Sequence, residues 1–271
     1  MYPVLFEFGS FTIYTYGFCI AVGAVSGVIY MAWQGKKQFG LTFDQSNTLF
    51  LLLVTGGIVG GKLFLIFEDP SLYLSHPQRL VSGSGFVFYG SLLTCIPIML
   101  WFFKHHKIPL WPMLDIMAIV TCILHGFGRI GCFMAGCCYG NPTDSIFGIA
   151  FTSPVCQAEP LNTPLHPTQL YESAWIFLIL IILLWLKNRK QFDGQLFLLY
   201  LMAYAAGRGV LEIFRGDLER GFVIPNYLSI SQLISLLLIA GALYFYVSRR
   251  NAKLLSTNLP DGWKTNRSDK K

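Results

Sequence analysis

Three polar residues recur at helical spacing within an apolar stretch of the chain. Tyr204, Arg208 and Glu212 follow one another at intervals of four residues, which places them on one face of a helix. Charged groups are costly inside a bilayer, so their presence there indicates function by default. Arg208 and Glu212 can also pair with each other, so a purely structural ion pair between helices stays open at this point.

An excess of arginine favours an anion site over an isolated ion pair. Arg129 lies near the end of another apolar segment, and we expect it at the same membrane depth as Arg208 and Arg215. A guanidinium group binds phosphate through two parallel hydrogen bonds. Within a membrane the available anion is a phospholipid headgroup, so these residues predict a lipid phosphate site.

Further polar residues are expected at the same depth, contributed by several apolar segments. They are Tyr16, Lys62, Tyr89, Gly90, His125, His166, Gln169 and Glu172. Lys62 follows a glycine-rich run that is typical of close helix packing. Its side chain can extend to the membrane surface or add to the anion site.

Four of the seven cysteines lie close together in the sequence. They are Cys132, Cys137, Cys138 and Cys156. The two-residue gap that is typical of zinc ligands is absent, so we expect no metal site. Two alternatives are better supported: a structural role, as buried thiols or a disulfide from Cys156 to Cys137 or Cys138, and a catalytic or substrate-facing role for free thiols.

The elements that must position these residues are membrane-spanning helices. Charged residues make up 13% of the 271 residues and hydrophobic residues 54%, whereas a soluble domain has about 25% charged residues. This composition excludes a soluble single domain and a disordered chain. We predict an all-α integral membrane protein with seven spans, at residues 11–33, 46–67, 86–103, 112–130, 168–186, 194–214 and 227–247.

The positions of the basic residues predict the orientation of these spans. Of the 20 Lys and Arg residues, 14 fall on one side of the predicted membrane, four on the other and two within spans. The positive-inside rule then places the N-terminus outside and the C-terminus in the cytoplasm. We predict a membrane domain over residues 1–250 with an outer loop at 131–167, and a basic cytoplasmic tail at 251–271. This placement of charge argues against nucleic acid as a partner.

Three motifs in this order resemble the bacterial prolipoprotein diacylglyceryl transferases. The first is GRIGCFMAGCCYG, from Gly128 to Gly140, and the second is HPTQLYE, from His166 to Glu172. The third is the spaced set that begins at Tyr204 and ends at Arg215. The order of the motifs, the seven spans and the orientation are similar to the family over about residues 11–247.

The resemblance implies a reaction and its participants. Members of the family transfer a diacylglyceryl group from phosphatidylglycerol to the lipobox cysteine of a prolipoprotein signal peptide. A multi-pass protein of the bacterial cytoplasmic (inner) membrane, with membrane lipid as a partner and no cofactor, is therefore expected. The resemblance assigns the lipid phosphate to Arg129 and Arg208, and it assigns the orientation of Arg208 to Glu212. The other residues that we expect to line the site are Tyr16, Lys62, Gly128, Cys132, His166, Gln169, Glu172, Tyr204 and Arg215.

Three positions depart from the family pattern. Cys132 stands where the family has an asparagine, Cys137 where it has a glutamate, and Tyr89 where it has a histidine that is a candidate base. An imidazole can accept a proton near neutral pH, so we predict His166 as the base and Tyr89 as a hydrogen-bond donor. The departures leave open a paralogue with another acceptor, or a membrane thiol oxidoreductase that uses the cysteines of 132–156. A lipid transporter is less well supported, because the polar residues stop at one half of the predicted membrane depth.

Overall fold

Helices dominate the described part of the chain. The structure, a computed structural model, describes residues 2–9, 11–81, 85–215, 222–224 and 228–250. The helices are α1 (Thr15–Phe39), α2 (Phe43–Leu63), α3 (Leu65–Glu68), α4 (Pro70–Ser75), α5 (Gln78–Val81), α6 (Phe88–His105), α7 (Leu110–Ala135), α8 (Thr168–Leu186), α9 (Gln195–Leu211) and α10 (Ile230–Arg249), with a 3₁₀ turn at Glu212–Phe214. The predicted tail at 251–271 lies outside the described residues.

Three antiparallel two-stranded ribbons accompany the helices. Their strands are β1 (Val4–Phe8) with β2 (Phe11–Tyr14), β3 (Ile149–Ala150) with β4 (Pro164–Leu165), and β5 (Phe222–Ile224) with β6 (Leu228–Ser229). The first ribbon corrects the predicted start of the first span at residue 11. Phe11–Tyr14 alternates apolar and polar residues, the period of a strand, and the helix begins only at Thr15.

Six stretches of helix are long and apolar enough to cross a membrane, which confirms the predicted all-α membrane fold. They are Thr15–Phe39, Phe43–Glu68, Leu110–Ala135, Thr168–Leu186, Gln195–Phe214 and Ile230–Arg249. The predicted span at 86–103 is instead the 18-residue helix α6, which is not among the six. Lys104 and His105 in its last turn, and Tyr89 and Ser91 in its first, lower the apolar character of α6.

The chain forms two units. The first comprises Met1–Tyr30 and the described residues from Leu114 onward, and the second comprises Met31–Met113. In the second unit, α2 and α6 pack closely through small residues. A Cβ atom added to Gly90 would lie 2.5 Å from the carbonyl oxygen of Gly60, and Ser91 Oγ donates to the carbonyl of Gly57 at 2.7 Å. These contacts agree with the packing role that the glycine run predicts.

In the first unit, α7, α8 and α9 share a buried apolar core. Its members include Ile119, Cys122, Ile176, Leu183 and Leu196, contributed by all three helices. The core fixes the faces that these helices present to one another. Polar side chains from the same three helices approach one another near the C-terminal end of α7 and the N-terminal end of α8. The predicted site lies there.

The end of α9 opposite the predicted site is tied to α7 by a buried carboxylate. Asp115 accepts hydrogen bonds from the backbone amides of Gly194, at 3.0 Å, and Phe197, at 3.1 Å. Lys190 Nζ lies 2.9 Å from Asp115 and 2.8 Å from Asp193. Asp115 therefore caps the N-terminus of α9, whose own N-cap residue, Gly194, has no side chain to do so.

Candidate functional site

The buried carboxylate of Glu172 links two side chains of α7 in the first unit, His125 and Arg129. Glu172, in the first turns of α8, is 3% exposed. Its Oε1 lies 3.0 Å from His125 Nε2 and its Oε2 lies 3.0 Å from Arg129 Nε. His125 and Arg129 are one helical turn apart on α7, so both face α8. Glu172 therefore orients the guanidinium group of Arg129.

The predicted pair of Arg208 and Glu212 forms at the end of α9. Arg208 Nη1 lies 2.5 Å from Glu212 Oε2, and Arg208 Nη2 lies 3.3 Å from Ser231 Oγ on α10. The guanidinium plane is thus held from two sides. Sequence reasoning did not find Ser231, because a serine carries no signal at the sequence level that ties it to a distant arginine.

Tyr204 lies between these two groups of charges. Its ring meets that of His125 edge-on, with 5.4 Å between centroids. The charges of Glu172 and of three arginines, Arg129, Arg208 and Arg215, all act on its hydroxyl group. Among the described residues, two of these arginines are oriented by carboxylates, Arg129 by Glu172 and Arg208 by Glu212. An arrangement of this kind suits a bound anion such as a phosphate.

The predicted residues Tyr16, Gly128 and Cys132 lie beside Arg129. Tyr16, in the first turn of α1, packs against Gly131, where an added Cβ atom would lie 3.1 Å from Tyr16 Cδ2. At Gly128 an added Cβ atom would meet no described atom within 4 Å.

His166 is held by aromatic neighbours just before α8. Its Nδ1 lies 3.3 Å from the hydroxyl group of Tyr171, and its ring meets that of Phe214 at 5.3 Å between centroids. The contact at Nδ1 orients the ring, and in the tautomer whose Nδ1–H donates to Tyr171 the Nε2 atom can accept a proton. His125, in contrast, was predicted at the depth of the site but was assigned no role in it. Its i, i+4 relation to Arg129 was the signal in the sequence that could have placed it there.

Two predicted residues belong to the second unit. Lys62 lies in the last turn of α2, and Tyr89 lies in the first turn of α6 with 57% of its surface exposed. Their part in the site remains a prediction.

The cysteine motif forms a tight chain reversal at the end of α7. The Gly136 amide donates to Phe133 O at 3.2 Å, and the Cys137 amide donates to Cys132 O at 3.1 Å. This pair of bonds, with Gly136 at a φ of +76°, is a Schellman motif. The reversal carries Cys137 and Cys138 back over Cys132.

The Sγ atoms of Cys132, Cys137 and Cys138 consequently lie within 4.8 Å of one another. All seven cysteines are free thiols, so the disulfide considered for Cys156 is not formed. The expectation of no metal site relied on linear spacing, whereas the reversal brings the three thiols together without it, and that expectation stays a prediction. Hydrogen bonds from the Cys132 and Cys137 thiols hold the pKa of Cys138 below its ordinary value, with help from Arg129 and against the effect of burial.

Comparisons with known proteins agree on one family. The family model of prolipoprotein diacylglyceryl transferase matches residues 3–248. A phosphatidylglycerol–prolipoprotein diacylglyceryl transferase of Clostridium tetani is 40% identical over 252 residues, covering 92% of this chain and 98% of the relative. Enzyme 2 of that name from Clostridium perfringens is 34% identical, with 90% and 93% covered. A third, from Dehalococcoides mccartyi, is 29% identical, with 92% and 94% covered.

Proposed function

Because the chain belongs to the prolipoprotein diacylglyceryl transferase family, we propose that it acts on the substrates for which its relatives are named. It transfers the diacylglyceryl group of phosphatidylglycerol to the lipobox cysteine of a prolipoprotein signal peptide. The chain is a multi-pass membrane transferase, and the bacterial inner membrane is its proposed location.

The two arginines that carboxylates orient near Tyr204, Arg129 and Arg208, support this function most directly. Attack of a thiolate on the C3 carbon of the diacylglycerol forms a carbon–sulfur bond and breaks the carbon–oxygen bond to the phosphate. The electron pair stays on the phosphate oxygen, so glycerol phosphate leaves with one more negative charge than the lipid carried. Fixed guanidinium groups stabilise that charge as it develops.

Arg129 and Arg208 are the groups that we assign to the phosphate. Each is oriented by a carboxylate, Glu172 at 3.0 Å for Arg129 and Glu212 at 2.5 Å for Arg208. Preorganised cations of this kind lose little free energy to reorganisation when the charge appears.

The acceptor thiol must lose its proton before it attacks. We assign the proton to His166, whose ring Tyr171 orients through Nδ1 and whose Nε2 accepts a proton when Nδ1–H is the donor to Tyr171. Tyr89 is the proposed hydrogen-bond donor to the lipid or to the leaving group. His125 contacts Glu172 at 3.0 Å and Arg129 Nε at 3.3 Å, so it is a positioning residue for Arg129.

A reconstituted transfer assay tests this function. Proteoliposomes that contain the chain, labelled phosphatidylglycerol and a lipobox peptide should yield lipopeptide and glycerol phosphate in equal amounts. The same peptide with serine in place of the cysteine should yield none. Lipid label on the serine peptide, or no lipopeptide from the cysteine peptide, would contradict the proposal.

A further inference from the structure

The three clustered thiols have the composition of a soft-metal site. Cys132, Cys137 and Cys138 place their Sγ atoms within 4.8 Å of one another. A tetrahedral zinc ion with Zn–S bonds of about 2.3 Å holds its sulfur ligands about 3.8 Å apart. Small side-chain movements therefore suffice to bring all three thiolates onto one ion.

The backbone that carries these thiols is fixed on both sides. Gly136 cannot be replaced without rearrangement, because an added Cβ atom would lie 2.8 Å from Cys156 Cβ. From the start of α8, Gln169 Nε2 donates to Cys137 O at 2.6 Å and Thr168 Oγ1 donates to Cys138 O at 2.8 Å. Ligands that are held by a second layer of hydrogen bonds are typical of functional metal sites.

Among the described residues, the cluster offers three ligands. Cys156, the next cysteine after Cys138 along the chain, packs against the buried Phe151, Ala158 and Leu165. Structural zinc sites use four protein ligands, whereas catalytic sites use three and leave the fourth position to water or substrate. The thiols also lie close enough to Arg129 for their charges to interact. The cluster therefore lies beside the proposed phosphate site.

We propose that Cys132, Cys137 and Cys138 bind a zinc ion whose fourth position takes the thiol of the acceptor cysteine. This inference rests on the proposed function. It explains how the acceptor thiol of that reaction becomes a thiolate nucleophile. A thiol that coordinates zinc is deprotonated and is thereby converted to the nucleophile. This role accounts for the cysteines at positions 132 and 137 together with the tyrosine at position 89, where the family pattern has a candidate base.

The step balances without an oxidant or a reductant. The acceptor thiol binds zinc and releases its proton to His166, and from there to water. Its sulfur then attacks C3 of the lipid, the carbon–sulfur bond forms, and glycerol phosphate departs with the electron pair of the broken carbon–oxygen bond. The product is a neutral thioether, a weaker zinc ligand than a thiolate, so it leaves the metal. Zinc stays in the +2 state throughout.

Metal content tests the site independently of activity. The full chain, purified in detergent through a tag without histidine or cysteine, should contain about one zinc per chain by inductively coupled plasma mass spectrometry. Cys132→Ser, Cys137→Ser and Cys138→Ser should each lose that zinc at unchanged protein yield. Cys156→Ser is the matched control and should retain it. Zinc-free wild-type protein that binds none when zinc is added, or equal zinc in all four variants, would overturn the proposal.

Cobalt tests the open position. Cobalt-substituted protein should show thiolate-to-cobalt charge transfer, and a lipobox peptide should change its visible spectrum whereas the serine version should not. A spectrum that the cysteine peptide leaves unchanged would contradict an open position. Chelation should lower transfer at least tenfold, and zinc but not magnesium should restore it. Full transfer by protein shown to be free of zinc would overturn the zinc site and leave the proposed function standing. Stoichiometric zinc without any transfer would instead contradict the function.

Discussion

Arg129 on α7 and Glu172 on α8 form an ion pair in which Nε lies 3.0 Å from Oε2, with side chains that are 19% and 4% exposed. The same carboxylate contacts His125 at its other oxygen. The direction of one guanidinium group is thus set by a residue on a different helix. This helps the guanidinium group of Arg129 to bind a phosphate, because the conformational entropy of its side chain is lost before the lipid binds.

Neutralising Glu172 should therefore reduce transfer through Arg129. Glu172→Gln keeps the shape of the side chain but loses the charge that orients the guanidinium group, and we expect transfer to fall about 100-fold. Initial rates in proteoliposomes, normalised to protein abundance, measure the effect. Glu7→Gln, on the exposed strand β1, is the control and should leave the rate unchanged. A Glu172→Gln rate within twofold of wild type would show that Arg129 does not need this partner.

Replacing Arg208 by lysine should cost most of the activity. A lysine ammonium group keeps the charge but cannot hold Glu212, Ser231 and a phosphate oxygen in one plane, so we expect at least a tenfold loss. The apparent affinity for phosphatidylglycerol should weaken as well. Arg189→Lys is the matched control, since Arg189 lies over the ring of Trp185, 4.3 Å from its centroid. Near-normal turnover by both Arg129→Ala and Arg208→Ala would exclude the phosphate role.

Periodicity predicted the helices well but could not predict contacts between them. The pair of Arg208 and Glu212 follows from helical spacing alone, and it forms as predicted. The partner of Arg129 is on another helix, and no spacing rule connects it to Glu172. The alternating residues of Phe11–Tyr14 were read as the start of a span because they are apolar on average. Period-two alternation was the better signal there.

The cysteine cluster escaped prediction for a different reason. Zinc motifs are recognised by ligands two residues apart, and this cluster is built by a chain reversal. Gly136, with its positive φ, is the residue that closes the reversal. Glycine after an apolar helix is a recognisable C-terminal signal, so the folding back of Cys137 toward Cys132 was within reach of the sequence.

The predicted orientation can be measured by thiol labelling. In a variant with reduced reactivity of native cysteines, Ser75→Cys should react with a membrane-impermeant maleimide added to intact cells. Asn188→Cys should react only after the cells are opened. Both positions are exposed in the structure, so a difference between them reports the side of the membrane. The reverse pattern would place the N-terminus in the cytoplasm and contradict the distribution of basic residues.

Lys190 should make stability depend on pH in the alkaline range. Burial lowers the pKa of Lys190, but the carboxylates of Asp115 and Asp193 raise it more, so the net pKa lies above its ordinary value. A raised pKa means that the stabilisation is fully present below about pH 10.4 and is lost as pH rises through the pKa of the folded state.

The comparison of Lys190→Met with wild type in detergent tests this dependence. The variant leaves two carboxylates without their cation, so we expect about 3 kcal/mol less stability near pH 8. The gap between the two thermal unfolding curves should close as pH rises through the pKa of Lys190 in the folded state, where wild-type Lys190 also loses its charge. Lys104→Met, at the exposed end of α6, should follow wild type at every pH. A constant gap between Lys190→Met and wild type across the range would show that charge is not the cause.

The choice of base can be settled by exchanging histidines one at a time. His166 has its Nδ1 against Tyr171, whereas His125 has its Nε2 against Glu172. His166→Gln should lower transfer to a small residual rate, because glutamine cannot take a proton. His125→Gln should reduce it less, because an amide can still donate to the carboxylate. His105→Gln, at the exposed end of α6, is the control.

The dependence of rate on pH separates a base from a residue that only supports the loop. If His166 takes the proton, the residual rate of His166→Gln should rise with pH as hydroxide replaces the imidazole, and added imidazole should restore part of the activity. His125→Gln should keep the pH profile of the wild type at a lower rate. Tyr89→Phe should lose less activity than His166→Gln, since it removes a hydrogen-bond donor and not the base. An active His166→Gln together with an inactive Tyr89→Phe would reverse the two assignments.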